Sequence, residues 1–132
     1  GVVASVQPEH AMDDRELVSR YWANAEGVYR LRSLREAGAT LQFGSDAPVT
    51  PLDPWFVIAS AVTRTREPEL GAWRPDEAVS LADALQASTR TSVAPGQRAD
   101  LVVLDDDLTP DRLRTMPIAA TLLDGRFTHC TL

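Results

Sequence analysis

Two short apolar runs in the first third of the chain have the pattern of buried β-strands. Residues 2–6 contain three valines and are followed by a proline with the polar residues Gln7 and His10 on either side of it. Residues 40–43 end in Gly-Ser-Asp, which leaves Asp46 just after the run. Runs of this length are too short for a helix, and β-branched residues favour extended backbone. The pattern therefore predicts two strands, each followed by side chains that can take part in chemistry.

Helical periodicity occupies the stretch between these two strands. Asp13 and Glu16 have the spacing of a capping box, in which each side chain accepts a hydrogen bond from a free amide at a helix start. Gly38 stands where a left-handed C-cap is expected. Gly27 interrupts the pattern, so a continuous helix and a break near residues 24–27 are both compatible with it. The apolar positions that recur at three- and four-residue multiples are Leu17, Tyr21, Val28, Leu31 and Leu34.

Two further helices are predicted after the second strand. Asp53 has the character of an N-cap and is followed by Pro54, which loses no hydrogen bond at the first helical position. This helix stops by Pro68. Ser80 and Asp83 repeat the capping spacing ahead of the next helix. The apolar positions are Trp55, Ile58, Ala59 and Val62 in the first of these helices, and Leu81, Ala84 and Leu85 in the second.

The last third of the chain has the pattern of β-structure. Residues 99–104 are apolar and β-branched, which predicts a buried strand. Asp124-Gly125 lies between two runs of strand-forming residues, and this dipeptide is typical of a type I′ hairpin turn. We therefore expect a hairpin near the end of the sequence.

Composition and charge restrict the class of protein. With 132 residues, 44% of them hydrophobic and 24% charged, the chain has the make-up of one globular domain. The net charge of −6 argues against a nucleic-acid partner, because phosphate binding relies on clustered Lys and Arg. The sequence shows neither a signal-peptide pattern nor an apolar run long enough for a membrane span. Its single cysteine, Cys130, fits a reducing compartment, so we expect a cytoplasmic protein with no membrane partner.

Four segments follow one another in a specific order along the chain. They read Ser-Val-Gln-Pro-x-His, Gly-Ser-Asp-Ala-Pro-Val, Ala-Pro-Gly-x-x-Ala-Asp-Leu-Val-Val-Leu-Asp and Asp-Gly-Arg. In this order they resemble the C-terminal portion of the metal-dependent amidohydrolases, most closely amidohydrolase family 3, the branch similar to N-substituted formamide deformylase. The resemblance implies an α/β fold. Residues 1–92 would form the last strand–helix units of a (β/α)8 TIM barrel, and residues 93–132 the C-terminal strands of its companion β-sandwich.

The same resemblance implies roles for four side chains. Asp46 matches the eighth-strand aspartate that binds the metal and carries a proton from the attacking water to the leaving amine. Gln7 and His10 match the barrel mouth, where they could hydrogen-bond a substrate carbonyl, and Arg64 matches an arginine that could reach a substrate carboxylate. Judged from the residues alone, Asp46 is also typical of a turn-former. His10 is also typical of a loop residue, and Arg64 with Arg66 of a solvated helix end.

The ligand set that the resemblance implies is incomplete in this sequence. Members of the superfamily bind one or two divalent metals, with zinc the expected ion here, through several histidines, often a carboxylated lysine, and the aspartate that Asp46 matches. This chain has no lysine, and its histidines are His10 and His129. A catalytic zinc needs three protein ligands and an open position. We therefore expect the chain to bind no metal by itself and to be an inactive piece of a parent hydrolase that acts on a C–N bond.

Three kinds of function remain open on the sequence. The chain could be the C-terminal part of an enzyme that acts on a small amide-type substrate, or one half of a split hydrolase. It could also be a non-catalytic remnant or an interaction module that associates with itself through exposed strand edges. We expect a homo-oligomer, or association with the missing N-terminal part, because half a barrel leaves strand edges and apolar helix faces uncovered.

Overall fold

The computed structural model describes residues 1–22 and 27–131, which form a mixed α/β fold with two small sheets. Among these residues, no helix is long and apolar enough to cross a bilayer. The helices are α1 (His10–Tyr21), α2 (Leu31–Glu36), α3 (Pro54–Thr63) and α4 (Leu81–Ser88). The strands are β1 (Val3–Val6), β2 (Thr40–Phe43), β3 (Leu101–Leu104), β4 (Ile118–Leu123) and β5 (Arg126–Cys130). Short 3-10 turns cover Pro68–Leu70, Pro75–Glu77 and Leu113–Thr115.

The first sheet consists of β1 and β2, which run parallel and pair over four residues each. A hydrogen bond from the Gly44 amide to the Val6 carbonyl (3.0 Å) continues the pairing past the strand ends. The carboxyl ends of parallel strands meet at one edge of a sheet, so the loops that follow them, residues 7–9 and 44–53, start side by side. Both strands form as predicted, but β1 is not buried as expected, since Val3 is 62% exposed. The parallel pairing explains how two loops distant in sequence come together.

The second sheet contains β3, β4 and β5 in antiparallel order. The turn between β4 and β5 has φ of 53° at Asp124 and 75° at Gly125. Positive φ at both central residues is what a type I′ turn requires, and these two residues meet it at low cost. The Asp124 amide also donates to Asp100 Oδ1 (2.8 Å), which ties the turn to the residue before β3. The predicted strand and hairpin form, but the strand is not buried as expected, since Val102 is 57% exposed and Val103 is 37% exposed.

The core lies where α3 and α4 pack together and against the first sheet, and Leu113 enters it from the C-terminal segment. Leu113 is fully buried although it belongs to a short 3-10 turn. Burying a leucine side chain contributes about 1.5–3 kcal/mol, so this residue fastens the segment of the second sheet to the rest of the fold. The buried members of the cluster are Leu31, Leu41, Ile58, Ala59, Ala61, Val79, Ala84, Ala87 and Leu113.

Three predicted helix ends are confirmed in atomic detail. Asp53 accepts a hydrogen bond from the Trp55 amide (2.9 Å) at the start of α3. Ser80 does the same for the Asp83 amide (3.1 Å) at the start of α4. Gly38 has φ of 87°, and its amide and the next one donate back to the last turn of α2, which is the Schellman arrangement. These ends form as predicted because each involves residues close together in sequence.

The predicted start of the first helix is wrong. α1 begins at His10, ahead of the Asp13–Glu16 pair, and Asp13 lies in its first turn. Glu9 occupies the N-cap position but makes no side-chain hydrogen bond to the helix. The carboxylate of Asp13 instead pairs with Arg66 Nη2 (2.7 Å), because tertiary contacts place an arginine beside this turn. The sequence therefore has the residue spacing of a capping box at Asp13 and Glu16, but the helix does not begin there.

Of the two alternatives left open near Gly27, the described residues show the break. α1 ends at Tyr21, α2 begins at Leu31, and residues 27–30 belong to no helix. The continuous helix is thus excluded, and the apolar position Val28 lies between the two helices. The other residues at which the break was possible, 24–26, lie outside the described residues.

The amino end of α2 is capped from elsewhere in the fold. Its own N-cap residue, Arg30, makes no side-chain cap bond. Glu77, which is buried, instead accepts from the Ser33 amide (2.9 Å) and the Ser33 hydroxyl (2.5 Å). Burial acts to raise the pKa of Glu77, but the two hydrogen bonds from Ser33 outweigh it and hold that pKa below its ordinary 4.5. A carboxylate at a helix amino end also interacts favourably with the helix dipole.

Glu77→Ala is expected to lower the free energy of unfolding by about 1–2 kcal/mol at neutral pH, as loss of a helix cap does. Because the folded-state pKa of Glu77 is depressed, its stabilisation is fully present above 4.5 and is lost as the pH falls through that lower value. Urea unfolding at neutral and at acid pH measures both effects. Glu69→Gln, at an exposed position, is the control. If Glu77→Gln left the pH dependence of the free energy of unfolding unchanged, the stabilising role of the Glu77 carboxylate would be contradicted.

Candidate functional site

The carboxyl edge of the first sheet brings Asp46 and His10 together. Asp46 follows β2, His10 is the first residue of α1, and His10 Nε2 lies 3.8 Å from Asp46 Oδ2. Asp46 has φ of 55°, a left-handed conformation that is uncommon outside glycine. Its carbonyl accepts from the Val49 amide (2.8 Å), which closes the turn. The backbone thus holds a carboxylate that is 58% exposed at the sheet edge, where a bound molecule can reach it.

The His10 imidazole is buried at the atom that faces Asp46. Within the described part of the chain His10 Nε2 has no hydrogen-bond partner, since 3.8 Å is too long for a hydrogen bond. Buried polar atoms are nearly always paired in native proteins, so an unpaired one calls for an explanation. An imidazole nitrogen can donate or accept a hydrogen bond or bind a metal ion. The unpaired His10 Nε2 thus faces the Asp46 carboxylate at the sheet edge.

An open cavity of about 320 Å³ lies next to Gln7 and His10. Tyr29 also lines it, and its hydroxyl donates to the Asp14 carboxylate. Burial, together with this hydrogen bond, raises the pKa of Tyr29 well above its ordinary value, so the phenol stays protonated. Apolar wall residues include Val6, Leu31 and Leu34. The cavity thus joins an apolar wall to two polar side chains from the β1 exit.

Arg64 lies in different surroundings. Its side chain is fully buried, Nε donates to the Trp73 carbonyl (3.1 Å), and the guanidinium stands 6.0 Å from the centre of the Trp73 ring. Burial lowers the pKa of Arg64, and the nearby Glu77 charge opposes that shift. The expected solvated helix end is therefore wrong for Arg64, whereas the side chain of Arg66 is 38% exposed. Arg64 contacts Trp73 and not the His10–Asp46 pair, and its substrate role stays a prediction.

The ligand groups that meet here do not complete a metal site. Across residues 1–22 and 27–131, no three His, Cys, Asp or Glu side chains gather closely enough to hold an ion. Asp46 and His10 provide two groups with suitable atoms, whereas a catalytic zinc requires three protein ligands. The residues described thus fit part of a divalent metal site and not a whole one.

Sequence reasoning missed one residue at this edge. Glu9 stands between Gln7 and His10, and its side chain is 1% exposed. It is paired with Arg66 and Arg114, which lie 57 and 105 positions away. A glutamate after a proline carries no local signal of burial, and only the pairing with distant arginines reveals it.

Similarity to known proteins identifies the family of this chain. A sequence profile described as amidohydrolase family matches residues 1–129. The chain belongs to the amidohydrolase family. It is 36% identical over 144 aligned residues to "Protein LONG AFTER FAR-RED 3" of Arabidopsis thaliana, covering 95% of this chain and 24% of that protein. It is 32% identical over 114 residues to N-substituted formamide deformylase of Arthrobacter pascens, covering 74% of this chain and 21% of that protein.

A solved structure agrees with the family assignment. The crystal structure of an uncharacterized metal-dependent hydrolase from Pyrococcus horikoshii OT3 aligns with a TM-score of 0.51 and 35% sequence identity. The alignment covers 64% of this amidohydrolase chain and 18% of the Pyrococcus chain. The resemblance drawn from the four ordered segments is confirmed, and so is a mixed α/β fold. This chain spans between about a fifth and a quarter of the length of the curated relatives it matches.

Proposed function

We propose that this chain is the C-terminal part of a metal-dependent amidohydrolase that hydrolyses an amide-type C–N bond, with Asp46 as proton carrier. One observation carries the proposal: His10 Nε2 lies 3.8 Å from Asp46 Oδ2 at the carboxyl edge of a parallel strand pair, in a chain of this family. Barrel enzymes keep their catalytic groups at that edge. By "whole enzyme" we mean the protein that carries these residues together with the missing ligands.

Asp46 moves one proton in the proposed reaction. It takes the proton from the attacking water as the water oxygen bonds to the carbonyl carbon, and delivers it to the departing nitrogen as the C–N bond breaks. One water is consumed, and the products are a carboxylic acid and an amine. An exposed carboxylate on a rigid turn suits this role, because general acid–base catalysis needs the group within hydrogen-bond reach of the proton. Gln7 and His10 hydrogen-bond the substrate carbonyl.

A divalent metal, zinc in our proposal, belongs to the site of the whole enzyme. The supporting finding is the similarity to a metal-dependent hydrolase of known structure. Asp46 supplies one carboxylate ligand. The remaining ligands come from the part of the whole enzyme that these residues do not include, since the described residues bring no set of three together.

The proposal extends to the architecture. Residues 1–92 contribute the last strand–helix units of a TIM barrel, which the parallel pairing of β1 and β2 and the packing of α3 and α4 on it support. Residues 93–132 contribute strands of a β-sandwich, which the antiparallel β3–β4–β5 sheet supports. Further strands of the whole enzyme then pair with the outer edges of both small sheets.

Self-association is a second candidate function, favoured by the exposed apolar surface. Val2, Val3 and Phe127 are each more than 60% exposed, and every residue of β5 is exposed. Uncovered strand edges and apolar side chains promote association between chains. In this case the chain acts as an interaction module and not as part of a catalyst.

We expect the purified 132-residue chain to carry no stoichiometric metal and to hydrolyse no amide, while the whole enzyme carries metal and turns over. The reason is that Asp46 and His10 cannot replace three protein ligands. Gel filtration with light scattering, followed by elemental analysis and an assay on N-formyl and N-acyl amines, measures mass, metal and activity together. One metal per isolated chain, lost in Asp46→Ala, would contradict the incomplete site. A metal-free, inactive whole enzyme would leave self-association as the function.

A further inference from the structure

A buried carboxylate beside the candidate site is held by side chains from two distant parts of the chain. Glu9 Oε1 accepts from Arg66 Nε (2.9 Å) and Nη2 (2.6 Å) and from Arg114 Nη1 (3.2 Å). Glu9 Oε2 accepts from Arg114 Nη2 (3.1 Å) and from the Ser60 hydroxyl. We call these four residues, Glu9, Ser60, Arg66 and Arg114, the Glu9 clamp. Both carboxylate oxygens are thereby occupied.

Arg114 enters the clamp from the C-terminal segment. It directly follows Leu113, whose side chain is anchored in the core. Arg114 Nη2 also donates to Ser60 Oγ (2.5 Å) and to the Thr65 carbonyl (3.2 Å). Its guanidinium stands 5.5 Å from the centre of the Phe56 ring. The planar guanidinium group of arginine has several N–H donors and makes these contacts simultaneously. The single ammonium group of a lysine cannot reproduce them.

The charges of the clamp leave Glu9 little freedom. Arg66 also pairs with Asp13 (2.7 Å), so two carboxylates meet two guanidinium groups. Burial acts to lower the pKa of Arg66, but its hydrogen bonds to Asp13 and Glu9 raise that pKa above its ordinary value. A buried charge that loses its partner is strongly destabilising. The partners therefore dictate where the Glu9 side chain points.

The backbone transmits this constraint to His10. Glu9 precedes His10 and occupies the N-cap position of α1. The His10 amide donates to the Gln7 carbonyl (3.2 Å) and the Met12 amide to the Glu9 carbonyl (2.9 Å), so the residues form one turn. Because the Glu9 side chain is fixed at one point of this turn, movement of Glu9 changes the direction in which the next side chain projects.

We propose that Glu9 and Arg114 are positioning residues: the C-terminal segment, acting through the Glu9 clamp, sets the place of the His10 imidazole opposite Asp46. Arg114 contributes to the site although its own contacts are with Glu9, Ser60, Thr65 and Phe56. The consequence for catalysis rests on the proposed function, whereas the placement of His10 does not.

Arg114→Met removes the charge and keeps most of the apolar stem. In the isolated chain we expect it to shift and broaden the imidazole NMR signal of His10 and to speed amide hydrogen exchange in residues 10–12. His129, which is exposed on β5, gives a second imidazole signal that should stay unchanged. Arg114→Lys should shift the His10 signal less than Arg114→Met does, because lysine keeps the positive charge but lacks the guanidinium group.

Arg112→Met is the matched control. Arg112 lies two positions away, is 58% exposed and pairs with Asp106 at 3.6 Å. If Arg114 only stabilised the fold, Arg114→Met would speed amide hydrogen exchange throughout the core and would leave the His10 imidazole signal unmoved. If Arg114→Met does not fold, Arg114→Lys and Ser60→Ala, which removes one donor to Glu9, give the same readout. An unmoved His10 signal in all folded variants, or an equal shift in Arg112→Met, would overturn the inference.

In the whole enzyme, Arg114→Met is expected to raise KM by about 10-fold with a smaller change in kcat, because His10, like Gln7, is proposed to bind the substrate carbonyl through one hydrogen bond. The two experiments separate the two ideas. A displaced His10 with an unaltered KM supports the positioning and contradicts the role of His10 in the proposed function. A His10 that does not move contradicts the positioning, whatever the activity.

Discussion

Replacing Asp46 with asparagine in the whole enzyme is expected to lower kcat by roughly 10²- to 10⁴-fold, the usual contribution of general acid–base catalysis. Asparagine keeps the shape of the side chain and one oxygen, but its amide cannot accept the proton of the attacking water. The turn that presents it, with φ of 55° at this residue, tolerates asparagine as well as aspartate. The folded structure and the metal content should therefore change little.

Steady-state kinetics, elemental analysis and a thermal melt on the same preparation test this expectation. Asp107→Asn, the same change on an exposed aspartate, is the control and should leave kcat unaltered. Gln7→Ala should act mainly on KM, because a group that binds ground state and transition state alike does not alter kcat. An Asp46→Asn enzyme with near-normal kcat would remove Asp46 from the mechanism.

Leu113→Ala is expected to lower the free energy of unfolding by about 2–5 kcal/mol, the range for emptying a buried leucine site. Leu113 has no exposed surface and belongs to the same cluster as Ile58 and Val79. Leu113 joins the C-terminal segment, which contains the second sheet, to α3. In Leu113→Ala, amide hydrogens of residues 101–130 should therefore exchange faster than those of the first sheet.

Urea unfolding measures the energy, and hydrogen exchange measures the order of opening. Leu52→Ala makes the same change at a position that is 79% exposed and should stay within about 0.5 kcal/mol of the wild type. Equal, small losses in both variants would show that the C-terminal segment does not depend on Leu113 for its attachment.

The elements that sequence predicted correctly are those whose hydrogen bonds are local. Asp53 caps an amide two residues on, and Ser80 caps one three residues on. Gly38 and the Asp124-Gly125 pair take positive φ, a conformation that these residue types adopt at low cost. In each case the energy depends on neighbours in the chain, so the pattern of residues is sufficient.

The Asp13–Glu16 spacing and Arg64 show where this reasoning fails. A capping box requires the helix to begin at its first residue, yet α1 begins three residues earlier, at His10. Arg64 stands at the end of α3, where an arginine is normally solvated, but the fold covers it with Trp73. Both outcomes depend on which segment packs over the residue, and the local pattern contains no information about that.

The sequence alone therefore determined the starts of α3 and α4, the end of α2, the strands, the hairpin and the family. Hydrogen bonds between neighbouring residues and the order of the four segments are encoded within the sequence itself. Only the tertiary structure decided that His10 Nε2 faces Asp46 at 3.8 Å and that Glu9 is buried between Arg66 and Arg114. A buried carboxylate must find opposite charge wherever the packing supplies it. Here one of the two partners lies 105 positions along the chain, a distance over which no local pattern carries the information.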